Sequence, residues 1–401
     1  MLGVIALAGG AIPPEREGQR MAPSPGASHF GHVAWPTTPR SDPRLGDRPP
    51  ARHFRRRAAS IAVHPTVAMP LHPTRRQFLG SSLAALGLAA LPRPLATAAN
   101  ASAPQPKNRP NPFVYRFNIG EIEAWSISDG HMLFKKGVDL MWPPEQRDAM
   151  TADLRAHGER TDGLPLYINV LVLRLGREIV LFDSGFGTRD NPQIGWLADG
   201  LASIGIAPDQ VTHTILSHGH IDHLGGFTHE GRIVYRNAGL HVLQAEVDFW
   251  RGSEPDFSQS HRTDNIPSMI RDVRAAFDVL QPNLQLHRDG DQLLNGAITF
   301  EAAPGHTDGH CVLRVENGGE SLVHFMDVAH HHLLMFTDPS WFIEFDHVPE
   351  VAVATRKKVF SHLAATGERA FGFHLPWPGL GRVKTRPHAF AWEPERWSWG
   401  A

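Results

Sequence analysis

An α+β layered sandwich is the fold class this chain predicts, and two features of its sequence predict it. Apolar strand-like runs come in pairs early and late in residues 113–401, and helical periods lie between them. The strand-like runs are 113–118, 121–128, 167–175, 178–182, 211–216, 239–244, 297–302, 311–315 and 321–325. Apolar residues spaced by three and four predict helices over 194–204, 266–280 and 349–365. A Pro/Asn-rich linker at 102–112 separates this single domain, 113–401, from what precedes it.

Residues 1–68 hold 9 Arg against 4 acidic residues and show no sustained period. They are expected to be disordered, or a mis-called extension upstream of a true start at Met69. In 69–101, Thr74-Arg75-Arg76-Gln77-Phe78-Leu79 resembles a twin-arginine export motif, and small-residue cleavage sites follow at 96–98 and 99–101. The apolar run between them, 81–91, falls short of the roughly 20 residues a bilayer span needs. The expectation is a signal peptide and a periplasmic or secreted product, with no stable membrane insertion after cleavage. Residues 102–401 carry 27 basic and 37 acidic side chains, a balance that repels phosphate backbones and argues against nucleic acid as a partner. The one cysteine, Cys311, excludes a disulfide framework and a Cys-rich metal site, whereas 25 His leave ample imidazole ligands.

The stretch 217–226 reads Ser-His-Gly-His-Ile-Asp-His-Leu-Gly-Gly and follows the buried-strand pattern of 211–216 directly. His218 and His220, two positions apart, can point at one ion, while Asp222 and His223 turn toward a second. Two ions about 3.5–4 Å apart are the expected arrangement. Gly219, Gly225 and Gly226 permit the tight backbone path. Chance produces such a motif in roughly 0.5% of sequences this rich in histidine. Three more strand ends each present one ligand: His306 after 297–302, Asp327 after 321–325, placed to bridge, and His374 after 369–373.

This order of motifs, with Gly305-His306-Thr307-Asp308-Gly309-His310 between the first and the last, resembles the metallo-β-lactamase superfamily over nearly all of residues 113–390. The resemblance implies a four-layer αββα sandwich with two divalent metal ions, zinc foremost. It implies His218, His220 and His306 on the first ion, Asp222, His223 and His374 on the second, and Asp327 between them. Asp183 resembles the family's aspartate that orients a ligand histidine, and His310 is expected to support the site by hydrogen bonds. The segments 128–130, 248–250, 336–340 and 374–381, with the helix bearing Arg356-Lys357-Lys358, are similar to methyl parathion hydrolase and its exported relatives. That similarity implies Trp250 in an aromatic wall over the metals, and relatives of this kind are often homodimers. Where phosphotriesterase relatives carry an aliphatic residue and acyl-homoserine lactonases a tyrosine, this chain has His330, followed by His331 and His332.

The implied chemistry is metal-assisted hydrolysis, in which a hydroxide held between the ions attacks a carbonyl or phosphoryl centre. Asp222 and Asp327 would fix the ions and His330 is a candidate proton donor. Trp250, Phe186, Phe336 and Phe345 are candidates to line an apolar pocket. Arg356-Lys357-Lys358 reads as a solvated helix face. A small apolar ester or lactone is the expected substrate, with an organophosphate triester as the alternative. A β-lactamase is disfavoured because no ammonium or guanidinium stands out near the motifs. A diiron protein is disfavoured by His220, where such proteins carry glutamate, and a non-catalytic binding protein by the full ligand set.

Overall fold

The computed structural model describes residues 113–187, 191–262 and 265–398. The expected extension at 1–68, export signal at 69–101 and linker at 102–112 lie outside the described residues.

Two seven-stranded sheets carry the fold. The first runs, in spatial order, β1 (Val114–Ile119), β2 (Ile122–Phe134), β3 (Leu164–Leu175), β4 (Glu178–Phe182), β5 (His213–Leu216), β6 (Gly239–Leu243) and β7 (Leu284–His287). Pairing is antiparallel up to β4 and parallel beyond it. The second sheet runs β8 (Gln292–Leu293), β9 (Ile298–Ala302), β10 (Cys311–Asn317), β11 (Glu320–His324), β12 (Arg369–Phe371), β13 (Leu380–Arg386) and β14 (Ala389–Pro394). It is antiparallel except between β11 and β12. Five helices matter here: α1 (Arg147–Ala156), α2 (Leu197–Ser203), α3 (Gln244–Arg251), α4 (Ile266–Leu280) and α5 (Pro349–Thr366).

Strand alternation explains the layering, because successive side chains leave a strand on opposite faces. In β3, Val170 and Val172 pack with Leu201 of α2, Trp250 of α3 and Phe277 of α4. Leu171 and Leu173 of the same strand instead meet Phe300, Leu313 and Leu322 of the second sheet. On the far side Val323 and Val383 pack against Leu154 of α1 and Phe360 of α5. The result is the expected four-layer αββα sandwich.

The helix expected from 194 begins only at Leu197, because Gly195 takes φ +76° and the amides of Gly195 and Leu197 donate to the Asp129 carboxylate. Helix α4 spans the expected 266–280, and α5 runs one residue past expectation before Gly367, at φ +67°, ends it. The hairpin of β13 and β14 went unread, since its exposed edge positions carry Arg, Lys and Glu rather than an apolar alternation. Among the described residues no helix is long and apolar enough to cross a membrane.

The C-terminal ends of β4, β5, β9, β11 and β12 share one rim of the sandwich, and the chain leaving each of them carries a polar side chain into the same space.

Candidate metal centre

All seven residues expected as ligands converge at that rim. Nε2 of His218 lies 3.1 Å from Nδ1 of His220, which lies 2.9 Å from Nε2 of His306. Asp222 Oδ2 is 3.7 Å from His223 Nε2 and 3.5 Å from His374 Nε2. Asp327 stands between the two sets: its Oδ2 is 3.2 Å from His306 Nε2 and 3.0 Å from His374 Nε2, and its Oδ1 is 3.1 Å from His223 Nε2.

Hydrogen bonds on the far side of each ring say what the near side offers. His306 Nδ1 faces Asp346 Oδ1 at 2.8 Å, His223 Nδ1 faces Asp183 Oδ2 at 2.7 Å, and His374 Nδ1 faces the Tyr167 carbonyl at 2.8 Å. Ser217 donates its hydroxyl to Asp183 at 2.8 Å, so at 3.0 Å the same oxygen can only accept from His218 Nδ1. Each proton is therefore assigned to Nδ1, and four Nε2 lone pairs point inward with two carboxylates. Lone pairs about 3 Å apart repel one another. His223 Nε2 and Asp327 Oδ1 are buried and make no hydrogen bond to anything. The arrangement fits two divalent cations, one among His218, His220 and His306 and one among Asp222, His223 and His374.

Burial, ahead of the neighbouring rings, holds His218 and His220 well below the usual imidazole range, in the neutral state a ligand requires. Burial opposes charge on His306 as well, yet Asp327 and Asp346 lift it to about 9. Asp327 is held well below the carboxylate range: burial pushes it up, but His223, His374 and His218 outweigh that. The cluster demands positive charge beside Asp327, which cations can supply in place of protons.

Several groups that hold the ligands were not read from the sequence. Glu246, on α3 and fully buried, accepts at Oε1 from the Gly219 amide and the Trp250 indole N–H, each at 2.6 Å. Its Oε2 accepts from the Thr307 hydroxyl at 2.6 Å and the Gly309 amide at 3.0 Å. One carboxylate thereby ties the loop of His218 and His220 to the loop of His306. Both loops need glycine to come this close, since a Cβ on Gly219 would lie 2.4 Å from the Trp250 indole nitrogen and one on Gly309 2.0 Å from the Glu246 amide nitrogen. An acid among the apolar positions of α3 was the available signal. His347, buried, places Nε2 3.2 Å from His220 Nε2, and its neighbour Asp346 holds His306. His310 accepts the Asp327 amide at Nε2, 3.2 Å away, and meets the Ala303 carbonyl at Nδ1, so it seats Asp327.

The triple histidine splits three ways. His330 is buried with Nε2 3.1 Å from Asp327 Oδ2, and its ring stacks on His374 with centroids 5.1 Å apart. Burial, first among the causes, holds it down to about 4, so near neutral pH it is a hydrogen-bond donor rather than a stored proton. His331 accepts two amides of the following turn, and His332 reaches Glu159 at 3.0 Å.

Three expectations are corrected. Trp250 is 0% exposed beneath the metal loop, with its indole bonded to Glu246, so it is a floor support and not a wall that substrate can touch. Phe336 is in the core, stacked on Phe360 at 4.3 Å, and not on a pocket wall, while Phe186 and Phe345 are both half-buried, Phe345 standing beside His330 with ring centroids 6.4 Å apart. Arg356 is not on the solvated face. It is fully buried, donates to the Val328, Pro339 and Trp341 carbonyls, and lies 3.6 Å from Asp346.

Replacing Asp346 by asparagine removes the anionic acceptor that fixes the His306 tautomer. Metal affinity at the three-histidine position should fall about 10–100-fold, the usual effect of losing such a partner. Titration against a competing zinc chelator reads this directly, and an unchanged affinity would contradict the assignment.

A profile of the metallo-beta-lactamase superfamily matches residues 163–361. Among solved structures, AidC, described as a dizinc quorum-quenching lactonase in complex with a product, is 28% identical with a TM-score of 0.68, covering 72% of this chain and 100% of that one. The hydrolase AbOPH, of the beta lactamase superfamily, is 25% identical with a TM-score of 0.66, covering 71% of this chain and 98% of its own. A protein from Staphylococcus aureus described as a probable metal-dependent hydrolase shares the fold at 16% identity and a TM-score of 0.56, covering 70% of this chain and 100% of that one. No curated protein matches.

Proposed function

Because residues 163–361 match a profile of the metallo-beta-lactamase superfamily, we propose a dizinc hydrolase of small, largely apolar carboxylic esters or lactones. The observation that carries this reading is the convergence of seven ligand side chains whose inward atoms are lone pairs and carboxylates. Bound there, two divalent cations would supply Lewis acidity toward a carbonyl oxygen and an acidified water. The chain's own residues do the rest. Asp327 stands between the two ligand sets, 3.2 Å from His306 and 3.1 Å from His223. His330, neutral, aims its Nε2–H at Asp327 Oδ2, 3.1 Å away, and so orients that carboxylate between the ligand sets. Phe345 and Phe134, with rings 5.5 Å apart, and Ile221, 46% exposed within the metal loop, give the rim apolar surface. The similarity to AidC supports a lactone or ester over other acyl substrates.

Organophosphate triester hydrolysis is the second reading, favoured by the segment 374–381, which resembles methyl parathion hydrolase. Export through the twin-arginine pathway belongs to the same proposal and rests on residues 74–79, and N-terminal sequencing of the mature protein would test it.

The test of function is metal analysis joined to a panel of acyl-homoserine lactones, aryl esters, paraoxon-type triesters and a cephalosporin. Two zinc ions per chain and turnover of a lactone or aryl ester are expected. Protein without metal, or a His220→Ala variant as active as wild type, would overturn the proposal.

A further inference from the structure

Three histidines with no part in the hydrolytic centre form a diagonal row across the first sheet. His213 opens β5, His241 lies in the middle of β6 and His287 closes β7. The registers of these parallel strands set His213 beside Gly239 and His287 beside Leu243, so all three side chains leave the sheet on one face. That face meets the second sheet, where the His287 ring stacks on Phe300 of β9 with centroids 4.6 Å apart. The row begins at the end of β5 away from the metal loop, since His218 follows the other end.

The neighbours of each ring assign its proton. Asp291 Oδ2 lies 3.6 Å from His287 Nδ1, which draws the proton there and leaves His287 Nε2 to accept from His241 Nδ1 at 2.9 Å. His241 Nε2 is then a lone pair, and it is buried without a hydrogen-bond partner in a residue only 8% exposed. The Thr212 hydroxyl donates to the Ile179 carbonyl at 3.1 Å, so at 2.9 Å it accepts from His213 Nδ1, and His213 Nε2 keeps its lone pair too. The His213 and His241 rings run side by side, with centroids 5.3 Å apart and planes 18° from parallel. Gly239 leaves a notch here, because a Cβ on it would lie 3.3 Å from His241 Nε2. Carboxylates stand at both ends of the row, Asp291 behind His287 and Glu178, 3.5 Å from His213. Burial, ahead of His287 and His213, holds His241 down to about 3, so its ring is neutral near pH 7. A buried acceptor with no donor to meet is destabilising, and an electrophile at that nitrogen would relieve it.

We propose that the notch over Gly239 is a further metal site, separate from the seven-ligand centre, where His241 Nε2 and His213 Nε2 take one divalent cation of the zinc, nickel or copper class. Imidazole suits those ions, whereas magnesium and calcium demand oxygen ligands. Each ligand ring is tied through its other nitrogen, His241 to His287 and His213 to Thr212, as ligand histidines generally are. Two protein nitrogens leave the remaining positions to water, so this ion should be held more weakly than those at the main centre and exchange sooner.

Zinc content measured against graded chelator tests it on the full chain equilibrated with zinc chloride. The wild type should hold one ion more per chain than His241→Gln, and that ion should be the first to leave. His213→Asn, at the more exposed of the two rings, should weaken the same step by about tenfold or more, the low end of what losing even a supporting partner costs a metal site. The comparison is between proteins, so it reads the same whatever the seven-ligand centre binds or hydrolyses. Equal zinc content and equal affinity in the wild type and either folded variant would overturn the proposal. If neither variant folds, anomalous diffraction at the zinc edge from wild-type crystals grown in zinc decides. A peak within bonding distance of His241 Nε2 sustains the site, and peaks that leave that nitrogen bare overturn it.

Discussion

Asp327→Ala should leave a folded protein that has lost hydrolysis by roughly 10³-fold or more, because even one preorganised electrostatic donor is commonly worth about 10²–10³ in rate. Asp327 is the side chain that meets both ligand sets, with one oxygen 3.2 Å from His306 and the other 3.1 Å from His223. Without it the two halves still face each other, but nothing anionic stands between them to offset two cations. The expected result is zinc below two ions per chain by elemental analysis, together with the lost rate on whichever ester or lactone the wild type cleaves. Two retained zinc ions with near-normal turnover would remove Asp327 from the centre.

Glu246→Gln is expected to be the most damaging substitution at a residue outside the ligand set. The carboxylate accepts four donors while fully buried: burial pushes its pKa up, and Thr307, Trp250, Gly219 and Gly309 pull it back. Glutamine keeps one accepting oxygen but turns an NH2 group toward two of the four donors. Each buried donor left unsatisfied costs about 1–3 kcal/mol, so a loss of roughly 2–5 kcal/mol in unfolding free energy is expected from denaturant melts. Because both tied loops carry ligands of the three-histidine position, zinc affinity there should fall about 10–100-fold, while the Asp222, His223 and His374 position is less affected. Cobalt substitution followed by its visible spectrum distinguishes the positions. An equal loss at both would point to global loosening instead.

The layered fold was legible because burial on two faces leaves a clear trace, as in the apolar run that became β3, whose neighbours alternate between the helix side and the sheet side. The seven converging side chains were legible for a related reason: each follows a strand, and four of them crowd into 218–223. What was missed acts at long range. Asp346 and His347 meet ligand histidines, and Glu246 meets the loops that carry them, through hydrogen bonds made across the rim, and no local spacing records such contacts. Trp250 and Arg356 were misplaced because an aromatic or a cation at a helical period looks alike on a wall, a floor or a surface. Only the partners, Glu246 for the one and three backbone carbonyls for the other, tell these apart.

His218, His220, Asp222 and His223 hang from the first sheet, whereas His306, Asp327 and His374 hang from the second. With a single cysteine, this chain has no covalent staple of its own. Zinc at this rim would act as one, clasping the free edges of two sheets and closing loops of chain whose opening entropy would otherwise favour the unfolded state. Chelation should therefore quicken the mechanical parting of the sandwich as well as silence its chemistry, and slow unfolding should be a property of the zinc-loaded protein alone.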